Sequence, residues 1–598
     1  MLSMFLRCHK RLKDGKEHRY YSIEESRRLQ SGRVVQRRVL YLGEINGSQQ
    51  AAWRKTLEVF EEGQHRPTSL SLFPDDRPLP VDAVDSVQVK LSEMQLRRPR
   101  PFGNCWLGCE LWRQLELDRF WEQKLAGGRE RVSWAQVLQL LVINRLIAPG
   151  SEFHLHREWF EHSAMDALLG TDFAVAEKDR LYRCLDRVLK HKPDLFQHLQ
   201  QRWKNLFDVS FDVLLYDLTS TYVEGEAELN PKAKRGYSRD GRPDCKQVIV
   251  ALVITPEGFP LAYEVLAGNT SDKTTLRGFL AKIENLYGQA RRVWLMDRGI
   301  PTEAILAEMR DPAREMFYLV GTPKARVTKY ENQWVELPWG KGRDSVEVKL
   351  FQQDGELYVL AKSEGRRAKE IAMRRKRLAR LLRKLRSMRR SCPQRDQLLM
   401  RIGAAKTEAG RAFGFVRINI PKAGQEVTRE TFTFSLDKAR LKEAEWRDGH
   451  YLLRTNLTAE DPAVLWDHYI QLTQIEAAFK CLKSELGIRP IFHQLEHRME
   501  AHILVAFLAY CLSVTLKYRL NAYAPGLTPR AVLEKLAAIQ MLDVILPTTD
   551  GRHLIMPRHT EPEPDLALLL QHLKLTLPPQ PSPRLTQPPV EACSALQM

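Results

Sequence analysis

The sequence predicts an α/β protein: a mixed sheet with helices packed on it, flanked by helical regions. Three observations predict this. From residue 211 the pattern runs β-β-β-α-β-α-β, with polar turns between runs rich in β-branched residues. Residues 104–207 and 496–520 follow helical periodicity instead. The chain, at 598 residues, is too long for one core.

The elements can be justified in chain order. Residues 1–63 hold short strand-like runs ("RYYSI", "RVVQRRVLYLGEI") among basic residues and predict a small β-containing module. Prolines, aspartates and "RRPRP" make 64–101 a linker. In 102–207, Ser133 and Gln136 form a capping-box pattern ahead of "VLQLLVINRLI". His154, His156 and His162 do not share one helix face, so they predict solvated or capping histidines, not a metal site.

Residues 208–324 hold the first part of the sheet. "FDVLLYDLTSTY", "QVIVALVIT" and "FPLAYEVL" read as a meander, and a helix at 272–287 follows. "RRVWLMDRG", a short helix from 301 and "MFYLVGTPK" complete the series.

Residues 325–456 interrupt it as a basic insertion domain. Within 366–390 there are 13 Lys/Arg against one Glu, +12 of the chain's +18. Leu378, Leu381, Leu382, Leu385 and Met388 recur at helical spacing. The helix is therefore expected to dock by its apolar stripe and present arginines to something anionic.

Residues 457–525 return to the core, with Asp461 as N-cap and Pro462 as first residue of a helix reaching about 485. Residues 526–576 are expected to be helical, and the proline-rich 577–598 disordered.

Bulk properties narrow the function. A net charge of +18 and a pI near 9.4 point to a polyanionic partner, nucleic acid first and membrane surface second. Nine cysteines show no repeating spacing. Cys105 and Cys109 lack the second pair a structural zinc needs, and the scatter predicts a reducing cytosol. The opening "MLSMFLRCHKRLKDGK" turns polar too early for a signal peptide. The apolar run 501–516 is short and contains His502, so it predicts a core helix. "PWGKGRDS" lacks the spacing of a phosphate loop, which excludes nucleotide binding there.

Two strands end in carboxylates: Asp217 in "YDLTSTY" and Asp297 in "VWLMDRGI". A buried carboxylate needs a partner or a cation. If the two strands lie side by side, both acids leave the sheet at one edge. Glu476 is the third candidate. Tyr469, Leu472 and Lys483 stand at offsets −7, −4 and +7 from it, on one helical stripe. Three converging carboxylates can hold two divalent cations, and hard oxygen ligands select Mg²⁺ or Mn²⁺. Two such ions serve in-line phosphoryl displacement.

These motifs resemble insertion-sequence DDE transposases with an RNase H-like core. More narrowly, "YIQLTQIEAAFKCLK" resembles the group with an insertion domain and a Y-x2-R-x3-E-x6-K helix. Tyr469, Glu476 and Lys483 match that pattern, whereas Leu472 stands where the arginine belongs. The resemblance covers about 210–520 and implies metal-dependent cleavage at transposon ends and strand transfer into target DNA, with water and then a DNA 3′-hydroxyl as nucleophiles.

It implies two Mg²⁺ or Mn²⁺ ions on Asp217, Asp297 and Glu476, and a homodimer on double-stranded DNA in a bacterial cytosol. The helical 102–207 would then bind transposon ends. Tyr469, Lys480, Lys483, Arg489, Arg374, Arg375, Lys376, Arg377, Arg380 and Arg383 are the candidate DNA contacts. Arg498 and His502 read as structural hydrogen-bonding residues. Two other readings use the same residues: a nuclease without strand transfer, and an inactive DNA-binding protein.

Overall fold

The structure, a computed structural model, describes residues 4–13, 16–28, 34–44, 57–59, 87–125, 132–322, 338–341, 346–353, 355–457, 461–549 and 551–586. Much of the expected linker (60–86), part of the "PWGKGRDS" stretch (342–345) and the end of the tail (587–598) lie outside the described residues. The chain divides into two bodies. One comprises Met1–Phe207, Thr221–Gln247 and Ala478–Met598, the other Asp208–Ser220 and Val248–Ala477.

The first body begins with an antiparallel sheet of β1 (Met4–Lys13), β2 (Lys16–Arg28) and β3 (Val34–Glu44). β4 (Leu57–Val59) and β5 (Val87–Val89) form a short parallel pair. β6 (Gln95–Pro101) is a strand where the sequence predicts linker. Its prolines, Pro99 and Pro101, are tolerated because β6 is an edge strand with a single neighbour.

Helices α1 (Gly103–Gln114), α2 (Leu117–Lys124), α3 (Trp134–Ile147), α4 (Lys178–Val188) and α5 (Lys192–Phe207) follow. Ser133 caps α3 by accepting from the Ala135 N–H. The expected capping box does not close, because the Gln136 amide donates to the Leu169 carbonyl at 3.1 Å instead.

The second body is organised by one sheet. β7 (Val213–Val223), β8 (Lys246–Ile254), β9 (Pro260–Ala267), α6 (Asp272–Tyr287), β10 (Arg292–Met296), α7 (Glu303–Met309) and β11 (Met316–Thr322) appear in the predicted order. Then come β12 (Gly340–Lys341), β13 (Val346–Gln353), β14 (Glu356–Ser363), α8 (Glu364–Ser391), α9 (Arg395–Ala409), β15 (Val416–Asn419), β16 (Thr433–Leu436), α10 (Lys438–Trp446) and β17 (His450–Thr455). The sheet has nine strands in the order β12-β13-β14-β17-β11-β10-β7-β8-β9. β10 runs parallel to β7 and β11, and β8–β9, β11–β17 and β14–β17 are antiparallel. The central strands form an RNase H-like core.

The insertion is thus not a separate block from 325 to 456. β13, β14 and β17 extend the core sheet, since the buried strands "ELYVLAKS" and "HYLLRT" need a neighbour on each side. Residues 364–446 carry their own core, in which Leu381, Leu385 and Met388 of α8 meet Leu398 and Ile402 of α9 and Phe432.

The predicted single helix from 461 to 485 is broken. α11 (Pro462–Ile470) ends at Gln471, α12 (Leu472–Lys480) starts afresh, and a π-turn Cys481–Glu485 follows. Three-residue backbone bonds, Gln471 N–H to His468 O and Gln474 N–H to Gln471 O, tighten the chain at the break.

The chain closes in the first body. α13 (Glu496–Tyr523) is, among the described residues, the one helix long and apolar enough to cross a membrane, and 94% of its apolar window is buried. It packs on α3 and α4, and Trp203 of α5 donates to Thr515 of α13 at 3.1 Å. α14 (Pro529–Leu536), β18 (Gln540–Pro547), β19 (His553–His559), α15 (Pro564–His572) and β20 (Arg584–Leu585) complete it. The expected all-helical 526–576 therefore contains a hairpin. "QMLDVILP" buries Met541, Val544 and Leu546 and pairs with β6 and β19.

A buried ionic network ties β17, β14 and α7 together in the second body. Arg454 Nε donates to both oxygens of Glu356 at 2.7 and 2.8 Å, and its two Nη atoms reach Glu303 at 2.7 Å each. Arg310 (2.9 Å) and the Tyr318 hydroxyl also bind Glu356. Arg454→Met is expected to destabilise the protein by about 3 kcal/mol, since it strips a buried carboxylate of its main counter-charge. Urea unfolding midpoints check this.

Candidate active site

Asp217 lies within β7 and Asp297 directly follows β10. The parallel ladder aligns Val213 with Val293, Leu214 with Trp294, Leu215 with Leu295 and Tyr216 with Met296. The next position on each strand is Asp217 and Asp297. Adjacent strands are about 4.8 Å apart.

Both side chains fall on one face. The Tyr216 hydroxyl donates to Thr275 of α6 at 2.9 Å, so residue 216 faces that helix. Strand alternation sends Asp217, and in register Asp297, to the opposite face. Each carboxylate accepts from the next backbone N–H, Leu218 and Arg298, at 2.7 Å. Asp217 is half-buried and Asp297 exposed. Two like charges on neighbouring strands repel unless a cation or proton intervenes.

β11 and α11 supply the surroundings of Asp297. A Cβ built on Gly321 would fall 3.1 Å from the Tyr469 hydroxyl and 3.5 Å from Asp297 Oδ1, so a side chain there would crowd the hydroxyl. Burial, reinforced by Asp297, pushes the Tyr469 phenol up to about 12. Its ring sits 5.8 Å from Tyr451 and 6.0 Å from Trp466. Tyr469 is therefore a neutral phenol in the neighbourhood of the Asp297 carboxylate.

Glu476 is exposed on α12, seven residues beyond Tyr469 and past the break at Gln471. The break interrupts the single stripe that the offsets imply. Lys483 does not continue that stripe as a free cation. Its Nζ donates to Asp240 at 2.8 Å, and Arg489 binds the same Asp240 oxygen. Lys480, by contrast, is exposed.

On α8, Arg375, Lys376, Arg377, Arg380 and Arg383 are exposed. Arg374, also among the expected DNA contacts, is half-buried. Its Nη atoms reach the two oxygens of buried Asp448 at 2.7 and 2.6 Å, so the fork is already filled.

One cluster escaped the sequence reading. Among the described residues, one trio of ligand-type side chains has its ligand atoms within 4.8 Å of one another: Glu152, His493 and His502, close enough for one ion. Asp217, Asp297 and Glu476 are not drawn that close. A two-ion site spreads its carboxylates over ions about 4 Å apart, a wider arrangement than a single-ion cluster.

The buried trio borders a cavity of about 140 Å³. His493 Nε2 lies 3.2 Å from Glu152, His502 Nε2 3.2 Å from the Ile488 carbonyl, and His502 Nδ1 3.4 Å from Arg145 Nη2. Burial opposes the Glu152 charge, but the His493 hydrogen bond and Arg145 prevail and hold the carboxyl down to about 2. Burial and then Arg145 push His502 down to about 3, so its ring is neutral. Neutral His502 accepts from Arg145 at one nitrogen and donates to Ile488 at the other. No local sequence pattern joins Glu152 to residues more than 300 positions away; His502 alone stood out, as a polar residue inside an apolar helix.

A family profile described as transposase DDE domain matches residues 210–512. The chain belongs to that family. Its DDE domain opens just before β7, closes within α13, and contains Asp217, Asp297, Glu476 and the insertion.

Among solved structures the chain is similar to a piggyBac transposase synaptic complex with hairpin DNA, at 9% identity over 74% of this chain and 82% of that one, with a TM-score of 0.35. It is also similar to a Mos1 transposase paired-end complex with left transposon end, at 14% identity over 35% of this chain and 66% of that one, TM-score 0.13. A pre-cleavage Mos1 transpososome matches at 12% identity over 32% and 60%, TM-score 0.12. No curated protein matches the chain.

The tie between Lys483, Arg489 and Asp240 within the first body is checkable. Asp240 is buried and offers both cations their carboxylate. Asp240→Ala is expected to lower stability by about 3 kcal/mol, because it leaves half-buried Lys483 without a counter-charge. Denaturant unfolding of the variant measures the loss.

Proposed function

We propose that the protein is a DNA transposase that cleaves DNA at transposon ends and joins them to target DNA. The observation that carries this reading is the in-register placement of Asp217 and Asp297 on one face of adjacent parallel strands. Membership of the DDE family and the exposed cations of α8 support it.

The residues fit divalent cations of the hard class, because two carboxylates on neighbouring strands present oxygens on one face. Asp217 and Asp297, with Glu476 from α12, would hold two Mg²⁺ or Mn²⁺ ions. When bound, such ions supply charge neutralisation at a phosphodiester and activation of a hydroxyl nucleophile.

The chain's own groups do the rest. Neutral Tyr469 lies in the neighbourhood of the Asp297 carboxylate. Gly321, with no side chain, leaves its hydroxyl uncrowded. The exposed arginines of α8 hold DNA backbone, and a homodimer on DNA brings two ends together. Water and then a DNA 3′-hydroxyl are the nucleophiles.

The test is a product assay on supercoiled DNA carrying the element's ends. Asp217→Asn, Asp297→Asn and Glu476→Gln should each lower Mg²⁺-dependent cleavage by at least about 100-fold while DNA binding persists. Joined product in the wild type separates transposition from simple nuclease action. Full activity in all three variants would refute the carboxylate assignment.

Arginines on α8 separate by environment. Replacing exposed Arg377, Arg380 and Arg383 with glutamine should flatten the dependence of log affinity on log salt by about 0.9 for each phosphate that is no longer neutralised. Arg374→Gln should instead lower stability and leave the slope unchanged, since Asp448 already occupies that guanidinium. Affinity titrations at several salt concentrations read both.

A further inference from the structure

The segment between β7 and β8, residues 224–245, does more than connect two strands. It is pinned along its length. The Gln494 amide donates to the Glu224 carbonyl at 2.9 Å and accepts from the Ala227 N–H at 2.7 Å. Gly225 has φ +94°, and a Cβ there would fall 2.9 Å from that amide. Buried Asn230 accepts from the N–H groups of Lys232 and Ala233 at 3.1 and 3.3 Å and donates to Met499 Sδ at 3.0 Å. Lys232 pairs with Glu496 at 3.1 Å and with Glu500.

The anchoring continues up to the tip. Lys234 and Gln247 exchange backbone hydrogen bonds of 3.1 and 2.9 Å, and the Gln247 side chain donates to the Tyr237 carbonyl at 3.0 Å. Ser238 Oγ accepts from the Arg242 N–H at 3.0 Å. Beyond it, Asp240 is locked to Lys483 and Arg489.

The backbone at residue 237 is thus fixed from both sides, yet the Tyr237 side chain is 85% exposed. Lys234, Arg235 and Arg239 are exposed around it. An aromatic ring held in water on a rigid turn makes no contribution to a core. It is also pre-organised, so little entropy is lost when a partner covers it.

The flanking cations choose the partner's charge, and the ring chooses its shape. Phosphates suit Lys234 and Arg235. A stacked duplex offers no base face to a ring, whereas an unpaired base does.

We infer that residues 234–239 form a contact for DNA with unpaired bases, in which Tyr237 stacks on a base and Lys234 and Arg235 meet the neighbouring phosphates. The inference rests on the reading of this protein as one that acts on DNA, and names a structural form of DNA that it grips.

The test uses the full chain and two fluorescent probes, a blunt duplex and the same duplex with an unpaired 3′ extension carrying 2-aminopurine. Tyr237→Ala should weaken binding of the extended probe by roughly 5- to 150-fold and abolish quenching of the 2-aminopurine. Binding of the blunt duplex should stay within about twofold, and Tyr237→Phe should behave as wild type on both probes, because stacking needs the ring and not the hydroxyl. The melting temperature of either variant should not change, since the side chain is exposed.

Equal binding of the extended probe by Tyr237→Ala and wild type overturns the inference. So does a loss in Tyr237→Phe as large as in Tyr237→Ala, which would make the contact a hydroxyl hydrogen bond. If cleavage that depends on Asp217 and Asp297 persists in either case, only this inference falls. If the wild type binds neither probe, the transposase reading falls with it.

Discussion

The parallel register between β7 and β10 is the constraint on which the rest of the site depends. Side chains alternate along a strand, so a slip of one residue would turn Asp217 toward α6 and Tyr216 away from it. The register is held from both faces. Tyr216 is fully buried, packs on Phe279 with ring centroids 5.1 Å apart, and donates to Thr275. Leu215 and Leu295, on the same face as the acids and one pleat before them, stand opposite each other and are equally buried. The carboxylates emerge where that apolar ladder stops. Their position follows from core packing, and their chemistry from lying side by side once the packing is set.

The same logic sorts the chain's many cations. A formal excess of +18 does not describe a uniformly positive surface. Arg454, Arg374, Lys483 and Arg489 are each matched to a carboxylate inside the fold, where they fix one element to another. Arg375, Lys376, Arg377, Arg380 and Arg383 have been left outside. Within α8 the division follows the helix face. Leu381, Leu385 and Met388 bury one side against α9, and Arg375, Lys376, Arg380 and Arg383 fall off that side. Arg374 lies on the buried-side margin, and burial there is tolerable only because Asp448 accepts both arms of its fork.

How far the sequence could be read depended on whether a feature is local. The β-β-β-α-β-α-β order was legible because each run carries its own periodicity and turn residues. Asp297 was legible as a strand-end acid and its nearness to Asp217 followed from that order, but β7 runs on past Asp217 to Val223. Extension of the sheet by β13, β14 and β17 was not, since the pairing of β14 with β17 joins segments separated by the whole helical insertion. The hairpin of β18 and β19 was missed for a related reason: its first strand finds its second neighbour in β6, more than 400 residues earlier. The break at Gln471 has no glycine or proline to announce it. Glu152, His493 and Arg145 carry no spacing signal, because their meeting depends on how α3 and α13 pack.

Leu472 lies just past the break. Leu472 and Glu476 both lie on α12, so residue 472 stands one turn before Glu476 on the same face, and its lack of charge is a gap there. Here Leu472 is the first residue of α12 and is half-buried, a position where a long cation would have to leave the apolar margin to reach solvent. Among the candidate DNA contacts that follow on the chain, Arg489 is bound to Asp240, and releasing it would leave a buried carboxylate short of a partner. Lys480 carries no such cost, because it already faces solvent on the same short helix as Glu476. Lys480 thus keeps a solvent-facing cation on α12, where Leu472 supplies none.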